Sequence, residues 1–329
     1  MSIIKARSVT AFLHAQSSAV AMLAVACLCA LSAWQWGAVT PDRADVGVCL
    51  PSANLWIPFG EASAIANIAA NAAVAILIIY INRAFNILRS LTALVATMFL
   101  AMQIAVPSEL ARFNDGTVLA IVMLVCSMLL FSVFDNPEGQ RRVFLVFCII
   151  GAAAFSRAAY LFFVPVLLLG CAQMRVLSLR GFLAALLGLI TPAWIIFGFG
   201  IVDPRLIHVR ELVGEWALPG SRAMVRIMVV AVFTILTGTF FTVANILKIL
   251  SYNSRVRAFN GFFTMLFMFT AVLSAVNFSN LAFYLPLLNC MAAYQVGHFF
   301  TYRRHRNSFI PILAIILVYF GFYIWAMAT

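Results

Sequence analysis

Arg157 is the residue best placed to do chemistry in this chain. It stands with Ser156 near the middle of an apolar run, residues 143–181, that Arg175 and Arg180 close. A guanidinium far from a helix end costs several kcal/mol in lipid, roughly 2.5–3.5 on insertion scales, so it answers to a ligand or to a protein partner. Recessed at a membrane surface, it would hold a phosphate or pyrophosphate bidentately. The other use is a hairpin-tip arginine that snorkels to headgroups or pairs with a carboxylate. Asp42 and Asp45 follow the first apolar segment. Two carboxylates three apart could serve as general base or divalent-cation ligand, or simply solvate a turn after Pro41. His208 and Arg210 lie in a segment whose apolar members, Leu206, Ile207, Val209, Leu212, Val213 and Trp216, recur at three- and four-residue spacing. That pattern suits a helix in the interface plane, whose polar side would line an entrance. Glu61, Glu109, Arg112 and Asp115 add charge between apolar segments on the same side.

A second set of polar residues lies inside apolar segments. Asn67 and Asn71 are one helical turn apart, and Asn289, Gln295 and His298 share a later segment. Such side chains join helices by hydrogen bonds or mark a polar path. No apolar segment carries a central acid, which argues against a proton- or sodium-coupled carrier. Six of the seven cysteines (Cys27, Cys29, Cys126, Cys148, Cys171 and Cys290) fall in apolar runs, and only Cys49 lies in an aqueous loop. No disulfide framework or metal site is expected, and no cofactor. Nucleotide-binding, zinc-protease and hydrolase motifs are missing.

The elements that must position these residues are membrane helices. The chain of 329 residues is 65% hydrophobic and 9% charged, with mean hydropathy +1.06. Soluble domains carry about 25% charged residues. The net charge of +11 therefore reads as short basic loops that orient spans, with no nucleic acid as partner. The expected fold is all-α, a single polytopic bundle over residues 1–329. Apolar segments lie at about 17–39, 62–82, 88–106, 117–134, 143–156, 158–173, 181–202, 224–245, 259–277, 280–300 and 308–327, about eleven spans in all. The first of them is longer than a signal-peptide core and is read as a retained span.

The run before Arg175 is about 31 residues, too long for one span of about 20. Two short helices turning at Arg157, a hairpin at 143–173, is the alternative. With the amino terminus inside, the hairpin puts Lys5, Arg7, Arg83, Arg89, Arg141, Arg142, Arg175, Arg180, Lys248, Arg255, Arg257, Arg303, Arg304 and Arg306 on the inner side. It leaves Arg43, Arg112, Arg205, Arg210 and Arg222 outside. That bias satisfies the positive-inside rule; a single span would break it. The predicted location is a bacterial cytoplasmic membrane, carboxyl terminus outside, with membrane lipids as partners.

Phe144–Gly200 runs from a Gly/Ala-rich short helix through a basic break, an aromatic-Pro helix and a basic turn to a Gly-Leu-Ile-Thr-Pro segment. It resembles an uncharacterised family of bacterial polytopic membrane proteins, most closely from Gln173-Met174-Arg175 to Thr191-Pro192-Ala193-Trp194, and also at Tyr80-Ile81-Asn82-Arg83. That resemblance brings no activity. The plan also looks like membrane glycosyltransferases of the GT-C architecture, which use polyprenyl-phosphate sugars. That resemblance implies an acid in the first outer loop, as Asp42 or Asp45 would be, and basic contacts to phosphate, as Arg157 would make. It implies an enzyme handling a polyprenyl-phosphate-linked glycan at the outer face. The other readings are a transporter or flippase running through Asn67, Asn71, Asn289 and His298, and a non-catalytic subunit bound to another envelope protein.

Overall fold

The computed structural model describes residues 18–37, 47–58, 60–88, 93–136, 138–203, 221–249, 252–302 and 309–328. They form an all-α bundle without strands: α1 (Ser18–Trp36), α2 (Gly60–Phe85), α3 (Leu94–Ile104), a one-turn α4 (Pro107–Leu110), α5 (Asp115–Phe131), α6 (Gln140–Ser156), α7 (Val164–Gln173), α8 (Leu179–Gly198), α9 (Arg222–Ile249), α10 (Ser254–Val276), α11 (Leu281–Tyr302) and α12 (Phe309–Ala328). Each of the eleven apolar segments falls on one of these helices. Five of them, α2, α8, α9, α10 and α12, are long and apolar enough to cross a membrane by length and composition. The protein is a multi-pass helical membrane protein.

Burial sorts the helices. From Leu281 to Phe300 nearly every residue of α11 is buried, and every residue of α3 is buried. A helix apolar all round belongs in the middle of a bundle. By contrast α8 and α12 are mostly exposed, showing Leu183, Leu187, Trp194, Leu313, Leu317 and Ile324 outward, as expected of helices facing lipid. At its 11 residues α3 is about 16 Å long. It stops where Pro107 opens α4, because a proline nitrogen cannot continue the hydrogen-bond ladder.

The 143–173 run is a hairpin. Arg157 leaves the helical region (φ −151°, ψ 119°) and ends α6; a 3₁₀ segment, Ala158–Phe163, then leads into α7. The end of α7 returns to the level at which α6 begins, since the Asp135 N–H donates to the Met174 carbonyl at 3.0 Å. From there α8 runs parallel to α6. A Cβ on Gly188 would lie 2.4 Å from the Phe144 carbonyl oxygen, and one on Gly151 would lie 2.8 Å from that of Leu189. These two glycines let the backbones approach closely, as small residues do between membrane helices.

The turn gives the bundle two unlike poles. One gathers the end of α1, the segment 47–57, the starts of α2, α5 and α9, the hairpin tip and the end of α12. It is tied by Leu50 N–H to the Phe155 carbonyl, Phe113 N–H to Ser63 Oγ and Arg226 Nη1 to the Ala326 carbonyl. The opposite pole holds Arg83, Arg141, Arg142, Arg175, Arg180, Arg255 and Arg257 at helix ends, the segregation the hairpin requires.

Gly188→Ala is expected to lower unfolding stability in detergent by about 1–3 kcal/mol through overpacking. Gly321→Ala, where nothing lies within 4 Å of an added Cβ, is expected to be neutral or stabilising. Equal effects in chemical unfolding would contradict the α6–α8 packing.

Candidate polar site at the hairpin tip

Asp115 organises this pole. Asn114 caps α5, its Oδ1 accepting from the Thr117 N–H at 2.8 Å, so Asp115 stands in the first turn, where the helix dipole favours a carboxylate. Its side chain is 1% exposed. Oδ1 accepts the Ala53 N–H at 2.7 Å and Oδ2 accepts Arg157 Nη1 at 2.9 Å. Its own N–H donates to Asn54 Oδ1, and its carbonyl accepts from the Tyr160 hydroxyl at 3.3 Å. One residue thus joins α5 to the segment after α1 and to both sides of the hairpin tip.

Arg157 completes the junction. Nη2 donates to Asn280 Oδ1 at 2.7 Å, and Cζ lies 4.8 Å from the centre of the Phe283 ring. Asn280 is held in turn by Asn277, whose Nδ2 donates to the Tyr284 hydroxyl. The arginine therefore links the starts of α5 and α11 through the hairpin tip. Paired and hydrogen-bonded, a buried charge is tolerable; unpaired, it costs about 3–5 kcal/mol.

Beside the pair lies a polar cavity of about 100 Å³, walled by Arg157, Asp115, Asn280, Asn54, Asn114, Glu109 and Arg112. Glu109 accepts Arg112 Nη2 at 3.1 Å, and the carbonyl of Glu109 accepts from Asn114 Nδ2 at 2.8 Å. Arg112 Nε is buried with no partner among the described residues. Residues 47–50, which follow the Asp42–Asp45 segment in the chain, pack on the hairpin tip: the Cys49 and Leu50 N–H groups share the Phe155 carbonyl. Partial burial pushes the Cys49 thiol up, partly offset by the Leu50 N–H, which makes it a poor nucleophile at neutral pH.

The other sequence-predicted residues fall elsewhere. Asn67 Nδ2 donates to the Glu109 and Leu110 carbonyls at 2.8 and 3.1 Å, and Asn71 Nδ2 donates back to the Asn67 carbonyl. Asn67 fastens α2 to α4, and Asn71 bonds within α2. Asn289 Oδ1 accepts from Thr234 Oγ1, which also bonds the Tyr319 hydroxyl, joining α9, α11 and α12. His298 lies towards the opposite pole between the rings of Tyr252 and Tyr294, 5.7 and 6.5 Å away. Asn67 with Asn71, Asn289 and His298 thus sit at three separate places in the bundle. Asp42, Asp45, His208 and Arg210 lie outside the described residues. Asn54, Asn280 and Phe283 carry no sequence signal for the site. Asp115 reads only as one of several loop charges, because 42 residues separate it from Arg157. No cluster of three metal-binding side chains occurs among the described residues. No family model, curated protein or solved structure matches the chain.

Arg157→Gln leaves the buried Asp115 carboxylate without its cation and is expected to destabilise the protein by about 3 kcal/mol. Asp115→Asn in the same background should recover much of the loss. A double-mutant cycle by chemical unfolding checks this; additive losses would deny the pair its role.

Proposed function

We propose that this protein sits in a bacterial cytoplasmic membrane, amino terminus inside and carboxyl terminus outside, with eleven crossings counted over the hairpin. There it handles a polyprenyl-phosphate-linked glycan at its outer pole. The carrying observation is the cavity of about 100 Å³ at the level of the helix ends, walled by two arginines, two carboxylates and three amides. A lipid-linked substrate presents its headgroup at that depth while its chain stays in the bilayer. The exposed apolar faces of α8 and α12 suit contact with lipid. A handful of convergent polar groups in a concave site is the usual form of a small-ligand site.

In this reading Arg157 is a positioning residue that fixes the cavity wall, and Arg112 and Glu109 touch the headgroup. His208 and Arg210, outside the described residues, keep the role of entrance residues that the sequence suggests. If the headgroup is transferred, Asp42 or Asp45 is the acid to supply the base, from the loop leading to the residues packed on the hairpin tip. The GT-C resemblance points the same way, as an analogy of plan.

Purified protein is expected to bind a polyprenyl-phosphate-linked hexose saturably in detergent. Glu109→Gln, which keeps the size of the side chain, should weaken that binding by about tenfold, the equivalent of losing one good polar contact. No saturable binding to the wild-type protein would remove the reading.

A further inference from the structure

We propose that the cavity receives the uncharged, hydroxyl-bearing part of the lipid-linked ligand, one sugar ring, and that the phosphate stays outside it. This rests on the reading above and assigns the cavity to one part of that ligand.

Charge comes first. The cavity walls hold two cations, Arg112 and Arg157, and two anions, Glu109 and Asp115. Each cation is already paired, at 3.1 and 2.9 Å. A phosphate entering here would find no net positive charge to replace its lost water. Geometry agrees. Bidentate phosphate binding needs two free N–H groups of one guanidinium. Nη1 and Nη2 of Arg157 already donate to Asp115 and to Asn280, and Arg112 Nη2 to the two Glu109 oxygens, so a phosphate would have to share each guanidinium with the partner it holds. Freeing Arg157 would break the ion pair of Asp115, which is 1% exposed.

What remains unspent suits a hydroxyl group. Arg112 Nε is a buried donor without a partner among the described residues, and the Glu109 carboxylate keeps lone pairs beyond those given to Arg112. A donor and an acceptor on adjoining side chains match a group that both donates and accepts; two neighbouring hydroxyls on a ring would meet both. The cavity of about 100 Å³ has room for about three waters at roughly 30 Å³ each, which the hydroxyl edge of a sugar ring would displace. The Asn114 amide and the Asn67 amide both bond the Glu109 carbonyl, so the Glu109 backbone is held before a ligand arrives.

The test compares two probes, polyprenyl phosphate and the same lipid phosphate carrying one glucose, by equilibrium binding to the full chain. The detergent must have no sugar headgroup, since that would compete. The glucose-bearing lipid is expected to bind at least about tenfold more tightly. Arg112→Lys keeps a charge for Glu109 but has no Nε; it should erase that difference and leave the bare lipid phosphate unchanged. Glu109→Gln should do the same, with thermal stability confirming that both variants fold. Equal binding of the two lipids would overturn the inference. So would loss of bare phosphate binding in Arg112→Lys, which would place the phosphate in the cavity while leaving the proposed function standing. Failure of both lipids to bind the wild-type protein would overturn inference and function together.

Discussion

The Asp115–Arg157 ion pair is the interaction on which the bundle depends. An apolar run of about 31 residues before Arg175 exceeds the roughly 20 that cross a bilayer, so the chain must tilt steeply or turn. Arg157 makes turning the cheaper outcome. A guanidinium in mid-lipid is costly, whereas at a hairpin tip it meets a carboxylate already stabilised by a helix start and a backbone N–H. Asp115 in turn needs Arg157, because its 1% exposure leaves it no water. Each charge supplies what the other lacks by burial, and their meeting brings α5, the tip and α11 to one level.

Several consequences follow from the turn. It makes α8 parallel to α6, and Gly151 and Gly188 allow the two helices to close together. It puts Arg175 and Arg180 at the same pole as Arg141 and Arg142. It also leaves a polar gap between a 3₁₀ turn, Phe278–Asn280, before α11 and the α4 corner, because the groups there are directed at one another and do not fill the space with side chain. The cavity is thus a by-product of the junction, and its electroneutrality comes from the pairs that hold the junction together.

Much of the fold was legible in the sequence, for a physical reason. Helices in lipid must satisfy every backbone group internally, so apolar length and breakers such as Pro107 locate them. Basic loops such as Arg141–Arg142 and Arg175–Arg180 then call for a turn between them, and the chain does turn at Arg157. The site was legible only in part. Arg157 stands out because it is expensive where it lies, and Glu109, Arg112 and Asp115 stand out as charges in a short loop. The pairing is not legible: Asp115 is 42 residues from Arg157, and Asn280 is 123 residues away, with no periodicity to relate them. Nor is the fate of the polar residues within helices. Asn67 and Asn289 look alike in sequence, yet one grips the α4 carbonyls and the other a threonine on α9.

The central claim is that the chain reverses at Arg157, and side-specific labelling tests it most directly. Leu161 in the tip and Leu177 in the turn after α7 are each 42% exposed. Each is replaced singly by cysteine in a background lacking Cys49, and intact cells are treated with a membrane-impermeant thiol reagent. The account predicts that Leu161→Cys labels in intact cells and that Leu177→Cys labels only after permeabilisation. Labelling of Leu177→Cys in intact cells, with Leu161→Cys protected even after permeabilisation, would mean a single span and would contradict the hairpin, the ion pair and the site built on them.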